Sequence, residues 1–224
     1  MSARSVAGRR SCRGDARQAV RYYQEALRAS PTYPLAHNNL ATALVSLGER
    51  ESAIREYEEA LRLEPNNAET HNALAMALAW AGQPGEARRE LEISLRLDPN
   101  YAQAHNNFGT LLASQGQVQE AIAHFDQAVR LRPDDAEAHA NLGTALASAG
   151  QLQAAVAQCR EAVRLKPGSV EFRERLGVIL AQTGKLDEAI AEFQRALEID
   201  PASASARLNL EMARRQRRGG PEFR

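Results

Sequence analysis

Pro31, Pro65, Pro99, Pro133, Pro167 and Pro201 fall 34 residues apart without a slip. A chain with a fixed period of this length can fold only as a stack of like units, because one unit cannot bury its apolar face alone. Glycine keeps the same beat at Gly14, Gly48, Gly82, Gly116, Gly150 and Gly184, midway between the prolines. Glycine tolerates the left-handed backbone that ends a helix, and proline cannot continue one, so each unit reads as helix, tight turn, helix, stop.

Helical periodicity fills in both helices. In the unit 102–135, His105, Phe108, Gly109 and Leu112 share one face of the first helix, and Val118, Ala121, Ile122, Phe125, Ala128 and Val129 share one face of the second. Equivalent rows run through His37, Leu40, Ala41 and Leu44, through His71, Leu74, Ala75 and Leu78, and through His139, Leu142, Gly143 and Leu146. Aromatic residues are only 5% of the chain, so the helices must pack closely on small residues rather than around a large core.

These rows carry a family resemblance. A small residue at Gly109, Gly143 and Gly177 is followed by alanine at Ala53, Ala87, Ala121, Ala155 and Ala189, then by an aromatic at Tyr57, Phe125 and Phe193. Alanine then recurs at Ala60, Ala128, Ala162 and Ala196, and proline closes each unit. The pattern resembles the tetratricopeptide repeat. The resemblance covers about 15–217, departing from the family in His or Arg where tryptophan is common, and in Leu91 and Cys159 within the aromatic row. It implies an all-α fold, a right-handed superhelical solenoid of antiparallel helix pairs. The expected organisation is a frayed first helix over 1–13, a half repeat at 14–33, and full repeats at 34–67, 68–101, 102–135, 136–169 and 170–203. A capping helix at 204–217 and a flexible tail at 218–224 complete it.

Chemistry of other kinds finds little support. No GxSxG, phosphate-cradling glycine loop or HExxH occurs, so no catalytic residue, cofactor or metal is expected. The periodic histidines His37, His71, His105 and His139 point in parallel at the repeat spacing, whereas zinc ligands must converge on one ion. They read as packing residues, each ring against its own second helix. Cys12 and Cys159 are too few for a disulfide framework. No apolar run is long enough for a membrane span or signal peptide, so a cytoplasmic protein is expected. Although the net charge is zero, both ends are arginine-rich and the body between them is acidic, which argues against nucleic acid as the partner.

The positions not needed for packing point to a binding face. Asn39, Asn107, Asn141 and Arg175 occupy one register of the first helices, with Asn38, Asn72 and Asn106 one residue earlier. Thr42, Thr110 and Thr144 follow three residues after that register, and the unit 68–101 presents Met76 and Trp80 there as an apolar anchor. In tetratricopeptide stacks this face lines the concave groove, so the resemblance implies that these residues bind an extended peptide. The asparagine row resembles the substrate-binding arm of O-linked N-acetylglucosamine transferases. A carboxamide both donates and accepts, so it can pair with any peptide backbone. Five first helices at about 8–10 Å spacing would hold about 12–15 extended residues. The sequence thus predicts a non-enzymatic protein-binding scaffold. The alternative is the substrate-recruiting arm of a larger enzyme such as a glycosyltransferase. Homo-oligomerisation stays open.

Overall fold

The computed structural model describes residues 3–219, with side chains from Asp15 onward. Most of the tail 218–224 and the side chains of 1–14 lie outside the described residues. The described chain is all-α and contains twelve helices, as the period requires. It forms two compact units, residues 1–111 and 112–224.

The first unit holds α1 (Ala3–Ala29), α2 (Pro34–Leu47), α3 (Arg50–Leu63), α4 (Ala68–Trp80), α5 (Pro84–Leu97) and most of α6 (Ala102–Ser114). From α1 to α5 each helix packs on the next, and the first helices α2 and α4 also touch. The second unit continues with α7 (Val118–Leu131), α8 (Ala136–Ser148), α9 (Leu152–Leu165), α10 (Val170–Gln182), α11 (Leu186–Ile199) and α12 (Ala204–Arg217). Here too neighbours pack in sequence, and α10 touches both α8 and α12.

The turns within repeats are made by Gly48, Gly82, Gly116, Gly150 and Gly184, whose φ lies between 77° and 85°. A side chain is strained in that left-handed region, and glycine is not. The residue after each glycine donates its N–H back to the carbonyl of a first-helix leucine, as Glu49 does to Leu44 at 3.0 Å and Lys185 to Leu180 at 3.0 Å. These leucines are themselves the buried row, so the turn and the core are fixed by the same residue. The repeats 68–101, 136–169 and 170–203 open on a side-chain cap. Asn67 accepts from the Thr70 N–H, Asp135 from Glu137 and Ala138, and Ser169 from Phe172.

Packing between the two helices of a repeat is as close as the small residues allow. Ala41, Ala53, Ala75, Ala87, Ala155 and Ala189 have no accessible surface. At Gly177 a Cβ would come within 2.5 Å of the Phe193 ring, so glycine is the residue that fits there.

The amino-terminal end differs from expectation. In place of a frayed segment and a turn at Gly14, α1 runs unbroken from Ala3 to Ala29. Arg10 stands in the register that Leu44, Leu78, Leu112, Leu146 and Leu180 fill in the later repeats. Without that leucine nothing rewards folding the chain back, and a single internal glycine costs a helix only about 1 kcal/mol. In α12, Glu211 and Arg214 stand in the registers of the small residue and the leucine, and both are exposed.

Candidate functional site

The first helices carry two kinds of polar residue, and the structure separates them. The histidine row is architectural. His71 Nδ1 lies 2.6 Å from Glu90 Oε2 on α5, and its Nε2 lies 3.0 Å from the Pro65 carbonyl in the preceding turn. His37 makes the same bridge between Glu56 at 2.7 Å and Pro31 at 3.0 Å, and His139 between Gln158 at 2.7 Å and Pro133 at 3.0 Å. In the repeat 170–203 an arginine takes the place: Arg173 donates to the Pro167 carbonyl at 3.0 Å and to Glu192 at 2.7 Å. One residue thus clamps the turn between repeats to its own second helix. Burial opposes the charge on His71, but the Glu90 carboxylate and the Pro65 carbonyl outweigh it and raise its pKa. No group of histidine, cysteine and carboxylate side chains among the described residues could hold a metal ion. Cys159 has 1% of its surface accessible, and burial pushes its thiol up to about 11, which makes it a packing residue and a poor nucleophile.

The asparagine row is divided. Asn72 and Asn106, placed on the open face by the sequence, are buried at 6% and 3% exposure. The correction has a simple cause: one residue before the ladder, the side chain points at the following repeat. Asn72 Oδ1 accepts from Asn107 Nδ2 at 2.8 Å, and Asn38 Oδ1 accepts from the Thr70 hydroxyl at 3.2 Å. Asn107 also accepts from Gln103 at 3.2 Å, and Asn141 accepts from Arg175 at 3.2 Å. The carboxamides therefore tie neighbouring first helices together before they meet any ligand. Asn39 is half-buried.

What remains open is the threonine and serine register. Thr42, Thr110 and Thr144 are exposed, and each hydroxyl donates to the carbonyl four residues back at 2.9–3.0 Å. Their donors are used, so the face presents methyl groups and acceptor oxygens. The Tyr57 hydroxyl reaches Thr42 Oγ1 at 3.1 Å, and burial, partly offset by this bond, raises its pKa. Met76 is half-buried and Trp80 is 54% exposed, a large apolar surface in the register of Thr110 and Ser114.

In the second unit this face forms an open cleft of 360 Å³. It is lined by Thr144, Ala147 and Ser148 of α8, Val178, Ile179 and Gln182 of α10, and Asn209 of α12. Arg175 at its edge is held by Glu171 at 2.5 Å as well as by Asn141. Glu174 accepts from Ser203 at 2.7 Å and Ser205 at 3.0 Å. Sequence reasoning missed Ser148, Val178 and Gln182, and placed Asn209 in the row of Asn107 without counting it in the site. Their register is that of Ser114, Thr110 and Asn107, so extending the row to the last repeats would have found them.

Comparison with known proteins accords with this architecture. The family model for the Cilia and flagella-associated protein 70 C-terminal domain matches residues 2–214. Among solved structures the chain is similar to MamA, with 28% identity, a TM-score of 0.65, and coverage of 74% of this chain and 96% of that one. YrrB, a TPR protein with an unusual peptide-binding site, aligns at 24% identity with a TM-score of 0.65, over 84% of this chain and 97% of its own. The Cut9–Hcn1 hetero-tetramer of the APC/C aligns at 23% identity with a TM-score of 0.80, over 89% of this chain and 40% of that one. The likenesses to YrrB and Cut9–Hcn1 are likenesses of fold. No curated protein matches the chain by sequence.

Proposed function

The chain belongs to the Cilia and flagella-associated protein 70 C-terminal domain family, and on that premise we propose that it is a non-enzymatic protein-binding scaffold that holds an extended peptide against the open face of its first helices. The observation that carries this reading is the contrast between registers. The small, leucine and histidine rows are consumed by packing, and the asparagine row largely by bonds between repeats. Thr42, Thr110 and Thr144 stay exposed, their hydroxyls bonded back along their own helices, and Thr42 also meets the Tyr57 hydroxyl.

Such a face suits a peptide strand. The threonine and serine oxygens accept from strand N–H groups, and Met76 and Trp80 offer an apolar anchor in the first unit. Each hydrogen bond contributes only about 0.5–1.5 kcal/mol, and ordering the ligand costs about 1 kcal/mol per residue. Apolar anchors must therefore supply most of the affinity.

The test begins with a displayed library of random decapeptides selected on the whole chain. The variant Thr110→Arg/Thr144→Arg fills the face while leaving the packed rows intact. Its affinity for the selected peptides, read by fluorescence anisotropy, should fall at least tenfold with an unchanged thermal transition. Equal affinity of wild type and variant would show that the ligand sits elsewhere.

A further inference from the structure

The cleft between α8, α10 and α12 carries more chemistry than its outline. We infer that it is a specificity pocket for an uncharged aliphatic side chain of the bound strand, and that it rejects carboxylates. This rests on the peptide-binding reading above and narrows it to a class of ligand.

The pocket's charges are committed within the fold. Arg175 is the cation lining the cleft, and both ends of its guanidinium are taken, one by Glu171 and the other by Asn141. A ligand carboxylate would have to displace one of these partners. It would also meet Glu171 and Glu174, which leave the cleft one negative charge in excess. Glu174 is held in place by the hydroxyls of Ser203 and Ser205, so it cannot swing away without losing both. Capture of an acidic residue or a free peptide carboxy-terminus is thereby disfavoured.

The remaining lining selects an aliphatic group. Val178 and Ile179 form an apolar floor, and Ala147 on α8 is small enough to leave the cleft open above it. A volume of 360 Å³ lies at the small end of ligand pockets, enough for a branched aliphatic side chain and the backbone on either side. Asn209 and Gln182 stand at the margin, where their carboxamides can both donate to and accept from the strand's peptide groups. The specificity is therefore built from two parts: an apolar floor that attracts and a paired, net-negative rim that repels.

The experiment uses the decapeptides selected on the whole chain. For each, the aliphatic residue whose loss matters most is replaced by Asp and by Lys, and binding is measured to wild type, Val178→Asp and Ser148→Arg. Thermal denaturation verifies that both variants fold, and Ser148 is exposed, so its replacement does not touch the core. Burial of a Leu-sized side chain corresponds to a ten- to hundred-fold change in affinity. The inference requires the Asp peptides to bind wild type at least tenfold more weakly than their parents. It also requires both protein variants to lose the parent's advantage. It is overturned if acidic peptides dominate the selection, if the Asp or Lys peptides bind as tightly as their parents, or if Val178→Asp and Ser148→Arg bind the parents unchanged. Should Thr110→Arg/Thr144→Arg abolish binding in that last case, the open face stands as the binding surface and only the pocket's specificity fails. If the library yields no binder, both readings fall together.

Discussion

At the scale of single residues, the fit between the two helices of a repeat is set by one pair. Gly177 faces Phe193, and a Cβ at 177 would press on three atoms of the ring at 2.5–2.9 Å. In the repeat 68–101 the same positions hold Ala75 and Leu91, both buried. In that repeat the first helix carries a methyl where the second carries a smaller side chain than the ring. Gly177→Ala should therefore destabilise by about 1–3 kcal/mol through overpacking, although alanine is the better helix former by about 1 kcal/mol. Adding Phe193→Leu should recover much of that loss, giving a favourable coupling between the two changes in urea denaturation. Strict additivity would show that the ring has room to move. The small and aromatic rows were legible in the sequence because steric demand repeats with the period. Asn72 and Asn106 were not, since a one-residue shift on a helix moves a side chain by about 100°, and carboxamide chemistry alone does not say which way it faces.

At the scale of elements, the turn glycines from Gly48 to Gly184 were readable, because each turn is a local event within a few residues; Gly14, which lies inside α1, was not a turn. The clamp made by the histidine row was half readable. The sequence placed each ring against its own second helix, but its bonds join residues 19 positions ahead and a carbonyl six behind, and a backbone acceptor leaves no trace in composition. A signal does exist, since Glu56, Glu90, Gln158 and Glu192 hold one polar register in helices that are otherwise apolar on that side. Glu192 is the most committed of them. It binds Arg173 at 2.7 Å and Arg195 at 2.6 Å, and the side chains of Glu192 and Arg173 are only 11% and 13% exposed. Glu192→Ala would strand the Arg173 guanidinium in a low-dielectric site, a loss expected to cost about 3–5 kcal/mol. Glu192→Gln should cost less, since Gln158 serves His139 in the same register. Arg195→Ala, on the exposed side, should change stability by less than about 1 kcal/mol. Chemical denaturation of the three variants checks the order. Equal effects would mean that the clamp contributes no more than an ordinary surface pair.

At the scale of the whole molecule, successive repeats close the same clamp with different chemistry. It is made by His37 with Glu56, His71 with Glu90 and His139 with Gln158, and toward the carboxy-terminal end by Arg173 with Glu192 and by Arg207 on the Pro201 carbonyl at 2.8 Å. Arginine keeps its charge throughout the accessible pH range, whereas histidine does not. Both partners of the His71 ring are acceptors, a carboxylate and a carbonyl, so only the protonated ring can donate to both. Its folded pKa is raised above the ordinary 6.5 because these partners outweigh the cost of burial. A raised pKa means that folding favours the proton. The stabilisation is complete below about pH 6.5 and is lost as pH climbs through the folded value. Hydrogen exchange, corrected for the intrinsic rate, should therefore show protection around α4 and α5 falling between pH 6 and 8.5. Protection around α10 and α11, clamped by Arg173, should stay nearly constant. His71→Arg copies the solution of the repeat 170–203, since the guanidinium can reach both the Glu90 carboxylate and the Pro65 carbonyl as Arg173 reaches Glu192 and Pro167. That variant should keep its protection across the range. If the pH dependence of α4 and α5 persists in His71→Arg, some group other than the His71 ring is titrating, and the clamp is not the source of the difference between these two helix pairs.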